Sequence, residues 1–170
     1  IQLRKCMHNK SDHRFSDINH VPLYVIKEHI PSESYDNYFK FAFVRNPYSR
    51  LVSAYHYSVE WFNRYAPEKI GKRNLNSFKQ WILNYDKTWC TKYDCQFDFV
   101  SGSDFIGRYE NLQNDFETIC QKIGITQYKL PHTNKSKHNH YAKYYDAKTK
   151  KIVTEKYAKD IEYFGYVFEE

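Results

Sequence analysis

Phe39-Lys40-Phe41-Ala42-Phe43-Val44-Arg45-Asn46-Pro47-Tyr48-Ser49-Arg50-Leu51-Val52-Ser53-Ala54-Tyr55 changes character halfway along. Phe41 to Val44 form a short apolar run of the kind that a buried parallel strand uses. Pro47 suits the first position of a helix, where its missing N–H costs nothing. From Leu51 onward the apolar residues Leu51, Ala54, Tyr55, Val59 and Phe62 recur at helical spacing. The expectation is a strand over 38–45 and a helix over 47–64. Arg45 then lies at the carboxyl end of a strand, where open α/β sheets bind ligands. The following helix offers N–H groups and the positive end of its dipole to an anion. Arg45 adds a planar fork that grips phosphate with two hydrogen bonds. Ser53, eight residues on, offers a hydroxyl. Taken on these residues alone, the segment is either a phosphate grip or a strand–loop–helix in which Arg45 meets a carboxylate.

The wording of the segment favours the phosphate. Phe41 to Tyr55, FAFVRNPYSRLVSAY, resembles the 3′-phosphate-binding motif of the carbohydrate sulfotransferases. That family includes the heparan and chondroitin sulfotransferases of the Golgi and their bacterial relatives. Its members move a sulfuryl group from PAPS (3′-phosphoadenosine 5′-phosphosulfate) to a sugar hydroxyl and release adenosine 3′,5′-bisphosphate. The resemblance implies that Arg45 and Ser53 hold the cofactor's 3′-phosphate and that Arg50 matches a further basic position. Three more stretches follow in the family's order. Asp104 to Leu112 resembles its second strand–turn–helix, and Leu130 to His138 the loop that closes over the cofactor. Tyr144-Tyr145-Asp146 and Ile152 to Tyr166 resemble its C-terminal helices.

One family feature has no counterpart here. A phosphosulfate loop of the type Pro-Lys-Thr-Gly-Gly-Thr-Ser is missing, and none of Gly71, Gly102, Gly107, Gly124 and Gly165 belongs to a Gly-rich phosphate loop. Residues 1–5 read like the helix that would follow such a loop. The expectation is therefore a chain truncated at its N-terminus, without the first strand and a catalytic lysine. The implied fold is α/β: a three-layer, P-loop-kinase-like parallel sheet with flanking helices, its N-terminal strand missing. Residues 1–170 would form a single sulfotransferase-like domain.

Composition agrees with one domain of 170 residues with a sizeable core. Tyr (17) and Phe (12) are abundant, which fits an aromatic core first and sugar stacking second. No stretch approaches ~18 apolar residues, so no membrane span is expected. The net charge is +6. It resides in residues 129–160, where nine Lys face Asp146, Glu155 and Asp160. Such a stretch suits an anionic cofactor or polyanionic substrate, or is a solvated lysine face. Of the cysteines, Cys90 and Cys95 either pair across a loop or remain thiols, and Cys120 falls on an apolar helical stripe.

Along the chain, a helix is expected over His20–His29, with Asn19 as its cap and Pro31 beyond its end. Residues 65–75 read as a surface connection, and Asn76 as the cap of a helix bearing Phe78, Trp81, Ile82 and Tyr85. Residues 86–102 read as irregular, Phe105 to Tyr109 as a strand, and Leu112 to Ile123 as a helix ended by Gly124. A polar loop over 126–140 precedes two or three short helices. Alternating strands and helices indicate a parallel sheet.

Sulfuryl transfer, like phosphoryl transfer, needs positioning, charge stabilisation and a base for the attacking hydroxyl. Histidine suits that base. The resemblance selects His20, which precedes the motif strand as the family's base histidine does; His13 is the reserve. Lys135 and Ser136, with Lys137, are candidate phosphate contacts from the closing loop. Arg108 and Tyr109, at a strand end, either approach the cofactor or, for Arg108, pair with a carboxylate. His138-x-His140 lacks a matching Cys or acidic pair, so no metal is expected. The partner would be a carbohydrate acceptor rather than nucleic acid. A bacterial protein would act in the cytoplasm, an animal one in the Golgi lumen. Two alternatives stand beside the enzyme: a nonenzymatic polyanion-binding module or inactive remnant of the fold, and, more weakly, a small-molecule kinase.

Overall fold

A computed structural model describes residues 21–72, 74–84, 95–126, 129–131 and 138–170. In chain order its elements are α1 (Leu23–His29), α2 (Ser32–Asn37), β1 (Phe41–Val44), α3 (Pro47–Tyr65), α4 (Phe78–Leu83), α5 (Gln96–Val100), β2 (Phe105–Arg108), α6 (Leu112–Lys122), α7 (Ala147–Lys156) and α8 (Ala158–Phe164). Short 3₁₀ turns cover Pro67–Lys69, Tyr109–Asn111 and Tyr141–Tyr144. The described chain divides into two compact units. One comprises the chain to Val44 with residues 94–128, the other 45–93 with 129–170.

The first unit holds a two-stranded parallel sheet, with Phe41 opposite Phe105, Ala42 opposite Ile106, Phe43 opposite Gly107 and Val44 opposite Arg108. A parallel pair requires a long crossover, and here the crossover carries α3, α4 and α5. Lys40 and Asp104 start the two strands together. The Lys40 backbone N–H donates to Asp104 Oδ2 at 2.8 Å, and Lys40 Nζ lies 2.9 Å from the same oxygen. The same Nζ donates to the carbonyls of Tyr35 and Tyr38 at 3.0 and 2.8 Å. The backbone bond, then the lysine side chain, hold the Asp104 carboxyl below its ordinary range. Burial departs from expectation. Of the run 41–44 only Val44 is buried, and Phe41 is 44% exposed. Among the described residues no further strand covers the flank of this pair, and the rings of Phe39, Phe41 and Phe43 pack along one face at 6.2 and 6.5 Å. Helix α6 meets the expected pattern at Ile119 and Cys120, both buried, and gives way to Gly124 in the left-handed region at φ 76°. Ile123, by contrast, is exposed.

Other boundaries moved. Pro22, not Asn19, precedes α1, and α2 follows Pro31 directly. Residues 96–100 are helical rather than irregular. Ser77, not Asn76, caps α4, its Oγ accepting from the Gln80 N–H at 3.2 Å. Asn19, Tyr85, Cys90 and residues 1–8 lie outside the described residues, and so does any pairing of Cys90 with Cys95.

The second unit is built around α3, whose 19 residues bury Tyr48, Leu51, Val52, Ala54, Tyr55, Ser58 and Phe62. Only part of the abundant tyrosine is core: Tyr48 and Tyr55 are buried, whereas Tyr24, Tyr38, Tyr57, Tyr65, Tyr109 and Tyr163 are exposed. A buried tyrosine retains a polar tip that needs a partner, and three packed around α3 have one. Tyr48 Oη is 2.7 Å from Thr154 Oγ1, Tyr55 Oη donates to the Leu75 carbonyl at 3.1 Å, and Tyr145 Oη donates to the Tyr48 carbonyl at 3.0 Å. Burial, followed by the neighbouring Tyr48, pushes the Tyr145 phenol far above its ordinary range. The bond from Tyr55 also ties down the connection after α3, where Leu75 is buried rather than superficial. Asp146 and Thr149 form a reciprocal capping box at the start of α7. Lys79 from α4 sits 2.7 Å from the Asp146 carboxylate. Gly165, at φ 65°, closes α8. Among the described residues no helix is long and apolar enough to cross a membrane.

Gly107 is the tightest point of the sheet. A Cβ there would lie 2.5 Å from Phe43 Cε1 and 3.2 Å from Asp115 Cβ. Gly107→Ala is expected to cost about 1–3 kcal/mol by overpacking, read by denaturant unfolding. Gly71→Ala, with nothing within 4 Å, serves as the control and should change stability little.

Candidate functional site

The site begins where β1 hands over to α3 across only Arg45 and Asn46. Asn46 is the N-cap. Its Oδ1 accepts from the Tyr48 N–H at 3.0 Å, its carbonyl accepts from the Arg50 N–H at 2.8 Å, and its Nδ2 donates to the Val167 carbonyl at 3.0 Å. One buried side chain thus starts the helix and anchors it to the C-terminal segment. The cap also limits the helix end as an anion site. Pro47 has no N–H, and that of Tyr48 is already occupied, so the first turn offers fewer donors than the sequence suggested.

Side chains supply the remainder. The Arg45 guanidinium lies over the first turn, with Nε 3.0 Å and Nη2 2.8 Å from Ser49 Oγ. Both bonds run from one edge of the guanidinium, so Ser49 fixes its plane. Ser53 follows one turn later on the same face. At about 100° per residue, Ser49, Ser53 and His56 occupy an arc of about 60°. Each of these three is half-buried.

His56 closes this polar arc. Its ring stacks on His138, centroids 5.1 Å apart and planes 14° apart, and the edge of Tyr144 meets it at 5.2 Å. Its Nε2 is buried without a hydrogen-bond partner, a condition that costs about 1–3 kcal/mol for a polar atom. Burial first, and His138 second, lower the His56 pKa from its ordinary value of 6.5. A guanidinium, two hydroxyls and an unfilled imidazole nitrogen make a donor set suited to a phosphate group.

The remaining sequence candidates are dispersed. Arg50 carries its guanidinium 5.2 Å over the ring of buried Tyr157, which gives it a packing role within the second unit. Arg108 ends β2 in the first unit, where its backbone N–H donates to Asp115 Oδ2 at 2.6 Å. Tyr109 begins the following 3₁₀ turn rather than ending the strand, and is half-exposed. His13, His20, Lys135, Ser136 and Lys137 lie outside the described residues. Sequence reasoning missed Ser49, His56 and His138. The first two were legible as helical neighbours of Ser53; the approach of His138 had no local signal.

The sulfotransferase family model matches residues 2–167. The chain belongs to the sulfotransferase family. Its relatives include an uncharacterised protein of Archaeoglobus fulgidus, 30% identical over 112 residues that cover 63% of this chain and 85% of that one. Carbohydrate sulfotransferase 14 of Danio rerio is 29% identical over 164 residues, covering 76% of this chain and 44% of the relative. Carbohydrate sulfotransferase 11 of Mus musculus is 27% identical over 130 residues, covering 59% and 37%. This sulfotransferase chain therefore spans less than half the length of the two carbohydrate sulfotransferases. No solved structure matches it.

Asn46→Ala removes both the cap and the tie to Val167. The expected loss is about 1–2 kcal/mol, measured by thermal unfolding. Asn46→Asp, which keeps the capping oxygen but not the amide donor, should recover part of it.

Proposed function

We propose that the chain carries the 3′-phosphate-binding half of a PAPS-dependent carbohydrate O-sulfotransferase. The observation that carries this reading is the Arg45 guanidinium held on Ser49 Oγ, on the α3 face that bears Ser53. The family model runs across both compact units, which supports a single working domain. The parallel β1–β2 pair supports, as part of this reading, a P-loop-kinase-like three-layer α/β fold.

PAPS, when bound, supplies the activated sulfuryl group. Arg45 neutralises and orients the 3′-phosphate with a fixed guanidinium plane, and Ser53 donates its hydroxyl. Preorganisation by Ser49 means that little side-chain entropy is lost on binding. Arg50 adds positive charge near the same helix end. Lys135 and Ser136 are proposed as further phosphate contacts. His20 is the base that accepts the proton of the sugar hydroxyl as it attacks. The acceptor is a carbohydrate, as the names of two relatives indicate for those proteins. Lys143, Lys148, Lys151, Lys156 and Lys159 are exposed on the second unit, which favours an anionic glycan among acceptors.

Calorimetry with adenosine 3′,5′-bisphosphate on the full-length protein tests the reading. Arg45→Ala should weaken binding by about 1.5–3 kcal/mol. Unchanged affinity would overturn the cofactor assignment. Binding of sulfated glycans without binding of the nucleotide would favour a nonenzymatic polyanion module instead. His20→Ala should abolish sulfation of a sugar acceptor while leaving nucleotide affinity intact; normal turnover would remove His20 as the base.

A further inference from the structure

We propose that His56 is a third binding residue of the Arg45–Ser53 face, donating from Nε2 to the bound phosphate group and taking up a proton as that anion arrives. The inference rests on the PAPS reading above and goes beyond it, because the family motif as read from the sequence ends at Tyr55.

Three observations lead to it. His56 lies seven residues after Ser49 and three after Ser53, on the arc that already carries the guanidinium and the two hydroxyls. Its Nε2 is buried without a protein partner, and a buried polar atom left so calls for a hydrogen-bonding group from outside the chain. Its ring is held from moving away by the His138 stack and the edges of Tyr144 and Tyr55, at 5.1, 5.2 and 5.3 Å. His138 is itself oriented, its Nδ1 lying 2.7 Å from the Asn139 carbonyl.

The electrostatics give the proton its direction. Around His56, α3 contributes Tyr55 and, one turn on, Glu60, which pairs with Arg64 at 3.2 Å. The 138–144 segment contributes His138, Lys143 and Tyr144. Helix α4 contributes Phe78, against Tyr144, while its Lys79 is engaged with Asp146. Burial first, and His138 second, disfavour the imidazolium, so the neutral ring is the favoured form before an anion arrives. An adjacent dianion reverses the balance and raises the pKa. Linkage then fixes the sign: affinity increases as pH falls through the bound-state pKa of His56, and levels off below its free-state value.

The test is calorimetry of adenosine 3′,5′-bisphosphate on the full-length protein at about pH 6 and about pH 8, in two buffers of different ionisation enthalpy. A phosphate monoester itself titrates near pH ~6, so the readout is wild type minus His56→Asn. Wild type should take up a fraction of a proton that His56→Asn does not, and should lose about tenfold more affinity between the two pH values. Adenosine 5′-monophosphate, lacking the 3′-phosphate, should show no such difference. If His56→Asn does not fold, the ring nitrogens of His56 in wild type should shift towards the imidazolium form on saturation with the bisphosphate at neutral pH. Equal proton uptake in wild type and variant, or an unshifted His56 ring, overturns the inference. Where Arg45→Ala still weakens binding, the cofactor reading survives that failure. A wild type that does not bind the bisphosphate at all removes both.

Discussion

The structure of the second unit depends on one constraint: the chain must leave a strand at Val44 and start a 19-residue helix at Pro47. Two residues make the transition, and they divide the work. Asn46 satisfies the helix end and, through its amide, fixes that end to the Val167 carbonyl. Arg45 is left to project over the first turn, where Ser49 fixes its guanidinium. A capped terminus and a positioned cation thus come from adjacent residues. The cap consumes a backbone donor that the helix end would otherwise offer, so the donors left at this end are mainly side chains.

The aromatic core determines which helix face stays available. Tyr48, Leu51, Tyr55 and Phe62 carry α3 against α4, α7 and the 141–144 turn. Tyr48 meets Tyr141, Tyr145 and Phe168, and Tyr55 meets Phe78 and Trp81. The hydroxyls of Tyr55 and Tyr145 are spent on carbonyls, that of Tyr48 on Thr154 and that of Tyr141 on the Glu169 N–H, so these four are packing groups with satisfied tips. With these faces buried, Ser49, Ser53 and His56 remain as a half-buried polar strip. Partial burial strengthens electrostatic interactions there relative to open solvent.

Helix α3 was readable nearly to the residue, because Pro47 and the apolar period from Leu51 are both local signals; the Asn46 cap was shown only by the structure. The same held for α6 and its Gly124 terminus. The errors share a cause. Asn76 and Ser77 both suit a cap, and only the backbone geometry of Ser77 selects it. Phe41 to Val44 look fully buried because an apolar run does not say how many strands will flank it. Residues 96–100 lack enough period in five positions to announce a helix.

At the site, the placing of Ser49, Ser53 and His56 on one face of α3 follows from helical phase, a property of the local chain, whereas the phosphate-binding role of Arg45 and Ser53 is what the family resemblance implies. Nothing local brings His138 onto His56 across 82 residues, or leaves Nε2 of His56 buried and unfilled. Those features arise from packing the 138–144 segment against α3. Likewise, nothing local positions Val167 to hold Asn46. The linear chain specified which groups could grip an anion; tertiary packing decided which of them are fixed in plane, desolvated and left with a donor to spare.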